Sequence, residues 1–166
     1  VLLIIPHFIV SYIVFGIVFK RNKKAEIPYK EKDLTLTDHK NYKDKIYEAI
    51  NFLEGLNKEE VSIKSFDGLT LFGRYYHVAD GAPLQIQFHG YKSMGIRDFC
   101  GGNKLARQKG HNTIIVDHRS HGKSQGRVIT FGIKERYDCV SWAKYAAERF
   151  GEDVPVILAG ISMGAA

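Results

Sequence analysis

An α/β fold with an antiparallel entry and a parallel continuation is what this sequence predicts, on three observations. Residues 61–66 and 69–78 are strand-like runs joined by Asp67-Gly68, the strongest short hairpin signal, because both turn residues tolerate positive φ. Residues 84–88, 96–109, 113–117, 132–150 and 154–159 then alternate strand, helix, strand, helix, strand, the order that builds parallel βαβ units. The last strand runs directly into Gly160-Ile161-Ser162-Met163-Gly164, the pattern of a sharp strand-to-helix turn.

Taken in order, residues 1–19 (VLLIIPHFIVSYIVFGIVF) contain no Asp, Glu, Lys or Arg. At helical rise they measure about 28 Å, close to the hydrocarbon thickness of a bilayer. Pro6 and Gly16 are tolerable in a membrane helix. Tyr12 and the basic residues Lys20, Arg21, Lys23 and Lys24 suit an interface. The expectation is a single-pass transmembrane anchor. A cleaved signal peptide and a buried core helix are the rivals, but no small-x-small cleavage site follows the run. The basic cluster leans the remainder of the chain towards the cytoplasmic side.

Residues 20–58 read as a juxtamembrane linker, polar and aperiodic around Pro28, followed from Asn41 by an amphipathic helix. Its stripe is Ile46, Ala49, Ile50, Leu53 and Leu56, which would pack on the body formed by residues 59–166 or lie at a membrane surface, packing being the commoner fate. The 96–109 segment is helical apart from Gly101-Gly102, and Gly110 closes it. The 132–150 helix is expected to turn Val140, Ala143, Ala147 and Phe150 inward and to end at Gly151. One strand is a misfit: Gln85 and Gln87 alternate with apolar residues where a covered parallel strand should be apolar throughout.

The chain has 166 residues, a formal charge of +6, 45% hydrophobic residues and two cysteines. That is one domain's material with enough apolar residues for a core. Cys100 and Cys139 fall in helical patterns without metal spacing and read as small reduced hydrophobes. The basic residues do not interleave with aromatics in an ordered patch, which argues against nucleic acid. Gly122-Lys123-Ser124 imitates the tail of a phosphate-binding loop, but Asp117 stands where that motif needs Gly. His118 and His121 lie on a loop without an obvious third ligand, so no metal is expected. The chain starts at Val1 and stops at Ala166, where a helix should follow the turn. It is expected to be the N-terminal half of a larger domain, inactive as a fragment.

The Gly-x-Ser-x-Gly turn carries the chemistry. It would hold Ser162 on a strained backbone with its hydroxyl pushed clear of the sheet, and side chains at Gly160 or Gly164 would collide with neighbouring backbone. Ser162 is then an acylating nucleophile. The oxyanion of its tetrahedral intermediate needs preorganised N–H donors, each worth about 3–4 kcal/mol. The residue after the serine, Met163, supplies one, and the loop after the third strand, His89-Gly90-Tyr91, supplies the other through Tyr91. Gly90 permits close backbone approach. Asp117, Arg119, His121 and Gly122 read as hydrogen-bonding support for the loop after the fourth strand, with Ser124 at its end.

The ordered set His89-Gly90, Asp117-x-Arg119-x-His121-Gly122-x-Ser124 and Gly160-x-Ser162-x-Gly164 resembles the α/β-hydrolase superfamily over roughly residues 60–166. More narrowly it resembles bacterial membrane-anchored hydrolases of the serine aminopeptidase-like and monoacylglycerol-lipase-like groups. The resemblance implies an eight-stranded, mostly parallel sheet with helices on both faces. It also implies a serine hydrolase that cleaves an ester, possibly a thioester or amide, of a small-molecule or lipid-like acyl substrate without metal or organic cofactor. In that family the acid and the histidine follow the serine, so His77, His89, His111, His118 and His121 are not expected to act as base, and His7 lies in the apolar span. The alternative is a binding module that keeps the fold without catalysis.

Overall fold

The computed structural model describes residues 4–21 and 40–166. The expected linker around Pro28 lies outside the described residues. Helix α1 is Ile4–Phe19 and α2 is Lys40–Gly55. Strands β1 (Glu59–Lys64) and β2 (Thr70–Tyr76) pair antiparallel across the Asp67-Gly68 turn. Gly68 there has φ 83° and donates its amide to the Ser65 carbonyl at 3.0 Å. Then come β3 (Leu84–Phe88), α3 (Gly95–Gln108), β4 (Asn112–Val116), α4 (Glu135–Phe150) and β5 (Val156–Gly160), closed by a 3₁₀ turn, Ser162–Ala165.

The sheet order is β1-β2-β4-β3-β5. β2 meets β4 antiparallel, whereas β3 runs parallel to both β4 and β5. In register, Phe88 lies level with Val116 on one side and Gly160 on the other. The carboxyl ends of three parallel strands therefore share one rim, and the loops that follow them converge there.

Each sheet face carries its own core. On one, Leu84, Ile86, Phe88, Ile114 and Val116 pack against Trp142 and Ala146 of α4. On the other, Tyr76 and Ile115 pack against Phe99 and Cys100 of α3 and Ile50 and Leu53 of α2. The expected α2 stripe is thus the packed one. Burying each such aliphatic side chain contributes about 1.5–3 kcal/mol. Both cysteines are free thiols, Cys100 buried and Cys139 half-buried.

Four expectations need correction. The apolar N-terminal segment forms a 16-residue helix, about 24 Å long at helical rise. No helix among the described residues is long and apolar enough to cross a membrane. Pro6 sits in the first turn of α1, where its missing N–H costs no hydrogen bond. The far end of α1 is tied to the body: the Ile129 amide donates to the Phe19 carbonyl at 2.7 Å. Arg21 Nη1 and Nη2 donate to the Ser124 and Gly122 carbonyls at 2.9 and 2.8 Å.

Helix α4 starts three residues later than expected, because Phe131 and Gly132 adopt positive φ (48° and 93°). It is also rotated. Val140 is 52% exposed, while Glu135, Asp138, Trp142 and Ala146 face inward. Two polar anchors set that rotation: Asp138 grips Arg119, and Glu135 gathers the 130–132 loop. Gly73 on β2 leaves room for the indole, which lies 3.0 Å from where a Cβ there would stand.

Helix α3 runs unbroken through Gly101-Gly102. As for the misfit strand, Gln87 Nε2 donates to Gln85 Oε1 at 2.7 Å, one bond between the two amides on the α3 side. Gln87 Oε1 is buried with no partner among the described residues.

Candidate active site

Ser162 follows β5 with φ 53°, a left-handed conformation that costs an L-residue roughly 1–2 kcal/mol. The surroundings impose it. A Cβ on Gly164 would overlap the carbonyl oxygen of Phe88 and lie 2.7 Å from that of His89. A Cβ on Gly160 would overlap the Gly164 carbonyl and lie 2.7 Å from the Ala165 nitrogen. Both glycines therefore let β5 and the 3₁₀ turn press onto the end of β3. Ser162 itself is exposed, and Met163 behind it is buried.

The loop after β3 comes alongside. A Cβ on Gly90 would stand 3.6 Å from that of Ser162, which places this backbone within one side chain's width of the serine. Its amides are largely committed. Gly90 donates to Asp98 Oδ2 at 2.8 Å, Lys92 to His121 Nε2 at 3.2 Å and Ser93 to the Gly90 carbonyl at 3.2 Å. Among the described residues the Tyr91 amide carries no such bond. In the 3₁₀ turn the first internal bond is donated by Gly164, to Ile161 at 2.9 Å, so the Met163 amide precedes the bonded turn.

Behind this loop stand three buried imidazoles, His89, His118 and His121. His89 sits 4.8 Å, centroid to centroid, from each of the others. His89 Nδ1 donates to the Gly90 carbonyl (2.8 Å), and its Nε2 accepts the His118 amide (3.3 Å). His121 Nδ1 donates to the Arg119 carbonyl (3.0 Å), and its Nε2 accepts the Lys92 amide. His89 and His121 thus work as neutral braces, each with one nitrogen donating and the other accepting. His118 Nε2 is buried with no partner among the described residues. No group of three or more His, Cys, Asp or Glu among the described residues is placed to hold a metal.

Burial lowers all three pKa values, that of His121 to about 4 and that of His118 well below the ordinary histidine range. The unfolded chain takes up these protons near pH 6.5, so stability present above that pH is lost as pH falls through the window towards 4. His121 alone accounts for about 2 kcal/mol between about pH 8 and about pH 5. Thermal melts across that range are expected to show a steep fall in Tm that His121→Gln makes shallower. A Tm independent of pH there would contradict the neutral brace.

The loop after β4 is organised by the remaining motif residues. Asp117 Oδ1 accepts from Arg74 (3.1 Å), and its Oδ2 accepts the Lys123 amide (3.0 Å). Gly122 has φ 47°, and a Cβ there would overlap the Asp117 carboxylate. Ser124 Oγ donates to the Asp117 carbonyl at 2.6 Å and accepts the Phe72 amide. Arg119 is buried, its fork meeting Asp138 twice at 2.6 Å and Asp67 at 3.0 and 3.2 Å. Those carboxylates raise its pKa against the opposing effect of burial.

Sequence reasoning missed Asp98, which fixes the Gly90 amide with one oxygen and accepts from Ser93 Oγ at 2.6 Å with the other. An acidic residue in the first turn of α3 was the available signal. It also missed Asp138 as the partner of Arg119, since nothing local marks a helical Asp for burial.

Neither a family model nor a curated protein matches this chain. Solved structures do. The chain is similar to the esterase Pf2001 of Pyrococcus furiosus, with 27% identity and a TM-score of 0.61 over 66% of this chain and 43% of that one. It is similar in fold to the α/β hydrolase GrgF of a Penicillium species (22%, 0.54, 64% and 38%). A hyperthermophilic esterase of Pyrobaculum calidifontis gives 19%, 0.52, 81% and 46%. The chain spans less than half the length of each.

Proposed function

We propose that this chain, which belongs to the α/β-hydrolase superfamily, supplies the nucleophile and the oxyanion site of a serine hydrolase that cleaves acyl esters. The observation that carries the reading is an exposed serine held at φ 53° between two glycines that admit no side chain, beside a loop with an uncommitted amide. Strain of this kind is retained where the surroundings over-determine it. The esterase name of the Pyrococcus furiosus structure supports the ester class over amides.

In this mechanism Ser162 Oγ attacks the acyl carbonyl carbon. The oxygen that gains charge accepts the amides of Tyr91 and Met163, and the serine proton passes to a base and then to the departing alcohol. Water hydrolyses the acyl-enzyme by the reverse sequence. His89 and His121 do not serve as that base, because their ring nitrogens are occupied by backbone partners. By the resemblance to the α/β-hydrolase superfamily, the acid and the base would follow the serine in chain order.

The test is covalent labelling. Full-length protein treated with a fluorophosphonate probe and digested is expected to carry the adduct on Ser162. A folded sample left unlabelled there, beside a labelled control hydrolase, removes the hydrolase reading in favour of a binding module.

A further inference from the structure

The last turn of α1 ends in the carbonyls of Ile17, Val18 and Phe19, to which a helix that stops there supplies no amide of its own. The body supplies the donors instead. Lys92 Nζ donates to Ile17, Tyr91 Oη to Val18 at 2.7 Å, and the Ile129 amide to Phe19 at 2.7 Å. The Lys92 ammonium also suits the negative end of the helix dipole. Two of the three donors therefore come from consecutive residues of the loop after β3.

The backbone of that loop is fixed on both sides of Tyr91. The Gly90 amide is held by Asp98 Oδ2 at 2.8 Å, and the Lys92 amide by His121 Nε2 at 3.2 Å. A donor reserved for an oxyanion cannot be fixed by a standing bond of its own, yet it must be preorganised to be of use. Its side chain has to do the holding. The Tyr91 hydroxyl rests on Val18, its ring stacks on Phe131 at 4.8 Å between centroids, and Lys92 Nζ lies 5.2 Å from its centroid.

These contacts lead back to one place. Phe19 meets Phe131 edge-on at 5.6 Å, so ring and hydroxyl are both braced by the end of α1. The Phe131-Gly132 turn also abuts the end of the elbow: a Cβ on Gly132 would stand 3.2 Å from that of Ala166.

We infer that the end of α1 is a positioning element for the oxyanion site. Its Val18 carbonyl, through the Tyr91 hydroxyl, and its Phe19 ring, through Phe131, keep the Tyr91 amide aimed at the oxygen that gains charge when Ser162 attacks. The Tyr91 side chain acts here through its own backbone amide. The inference rests on the serine hydrolase reading and deepens it.

The test uses full-length protein, p-nitrophenyl butyrate as substrate and a trifluoromethyl ketone inhibitor, whose hemiketal on a serine carries an oxyanion. Tyr91→Phe keeps the ring and deletes only the hydroxyl. Its kcat is expected to fall about tenfold with KM within about twofold of the parent, because the oxyanion exists only in the transition state. Affinity for the ketone should fall by a similar factor, about tenfold. Phe19→Ala, which removes the ring edge-on to Phe131 but no carbonyl, is expected to show the same split. Tyr91→Phe with kcat and ketone affinity unchanged overturns the inference. So does a variant whose KM rises as far as its kcat falls, the mark of a side chain that only supports the loop. Fluorophosphonate labelling separates the claims. A parent unlabelled at Ser162 removes the hydrolase reading and this inference with it, whereas a labelled parent with an unaffected Tyr91→Phe removes this inference alone.

Discussion

Ser162→Ala in the full-length protein is expected to lower ester turnover by at least about a thousandfold, and by up to about a millionfold. The range reflects how much catalysis the two amides retain once the attacking oxygen is gone. Folding should be untouched: Ser162 is exposed, and alanine pays the same left-handed penalty as serine. Ser162→Gly separates strain from chemistry. Glycine visits φ 53° freely, so that variant is expected to be as inactive as the alanine variant yet more stable, by roughly 1 kcal/mol. Turnover of a chromogenic short-chain ester and thermal melts on the three proteins check both halves. Retained turnover in Ser162→Ala would place the nucleophile elsewhere. A glycine variant no more stable than alanine would show that the backbone holds no strain at this position.

What the sequence made legible here was whatever depends on short-range geometry. The elbow could be read because its glycines are demanded by atoms that the strand-turn-strand arrangement always brings close. The Asp67-Gly68 hairpin and the α2 stripe follow from turn chemistry and helical period in the same way. The misread elements depend on partners distant in the chain. Val140 looked like a core residue by periodicity, but α4 is turned by Asp138 reaching Arg119, 19 positions away. The Gln85–Gln87 hydrogen bond lies within one strand, an arrangement that composition does not announce. The brace of His89 and His121 beneath the Tyr91 loop was equally hidden, because it depends on β3 and β4 being neighbours. The apolar run and basic flank of residues 1–19 say what medium a helix prefers but not where it ends or what its last turn grips.

Gly164→Ala should show how tightly the elbow is built. The added methyl would overlap the Phe88 carbonyl oxygen and lie 2.6 Å from its carbon. Neither atom belongs to a flexible side chain: Phe88 ends β3, an inner strand held by β4 on one side and β5 on the other. Relief therefore requires the 3₁₀ turn to lift off β3, which moves Ser162 away from Gly90 and withdraws buried Met163 from its packing. The expected loss is at least about 3 kcal/mol, on the order of 10 °C in Tm, with fluorophosphonate labelling of Ser162 reduced even in the folded fraction. Gly101→Ala supplies the contrast. That glycine lies on the exposed side of α3 with nothing within 4 Å of an added Cβ. The helix should therefore gain about 0.5–1 kcal/mol from the same chemical change. Opposite signs at the two positions would locate the demand in the backbone of β3 and not in glycine's flexibility. A Gly164→Ala protein that melts with the parent would mean that the elbow has room to spare, and the geometric case for Ser162 would lose its support.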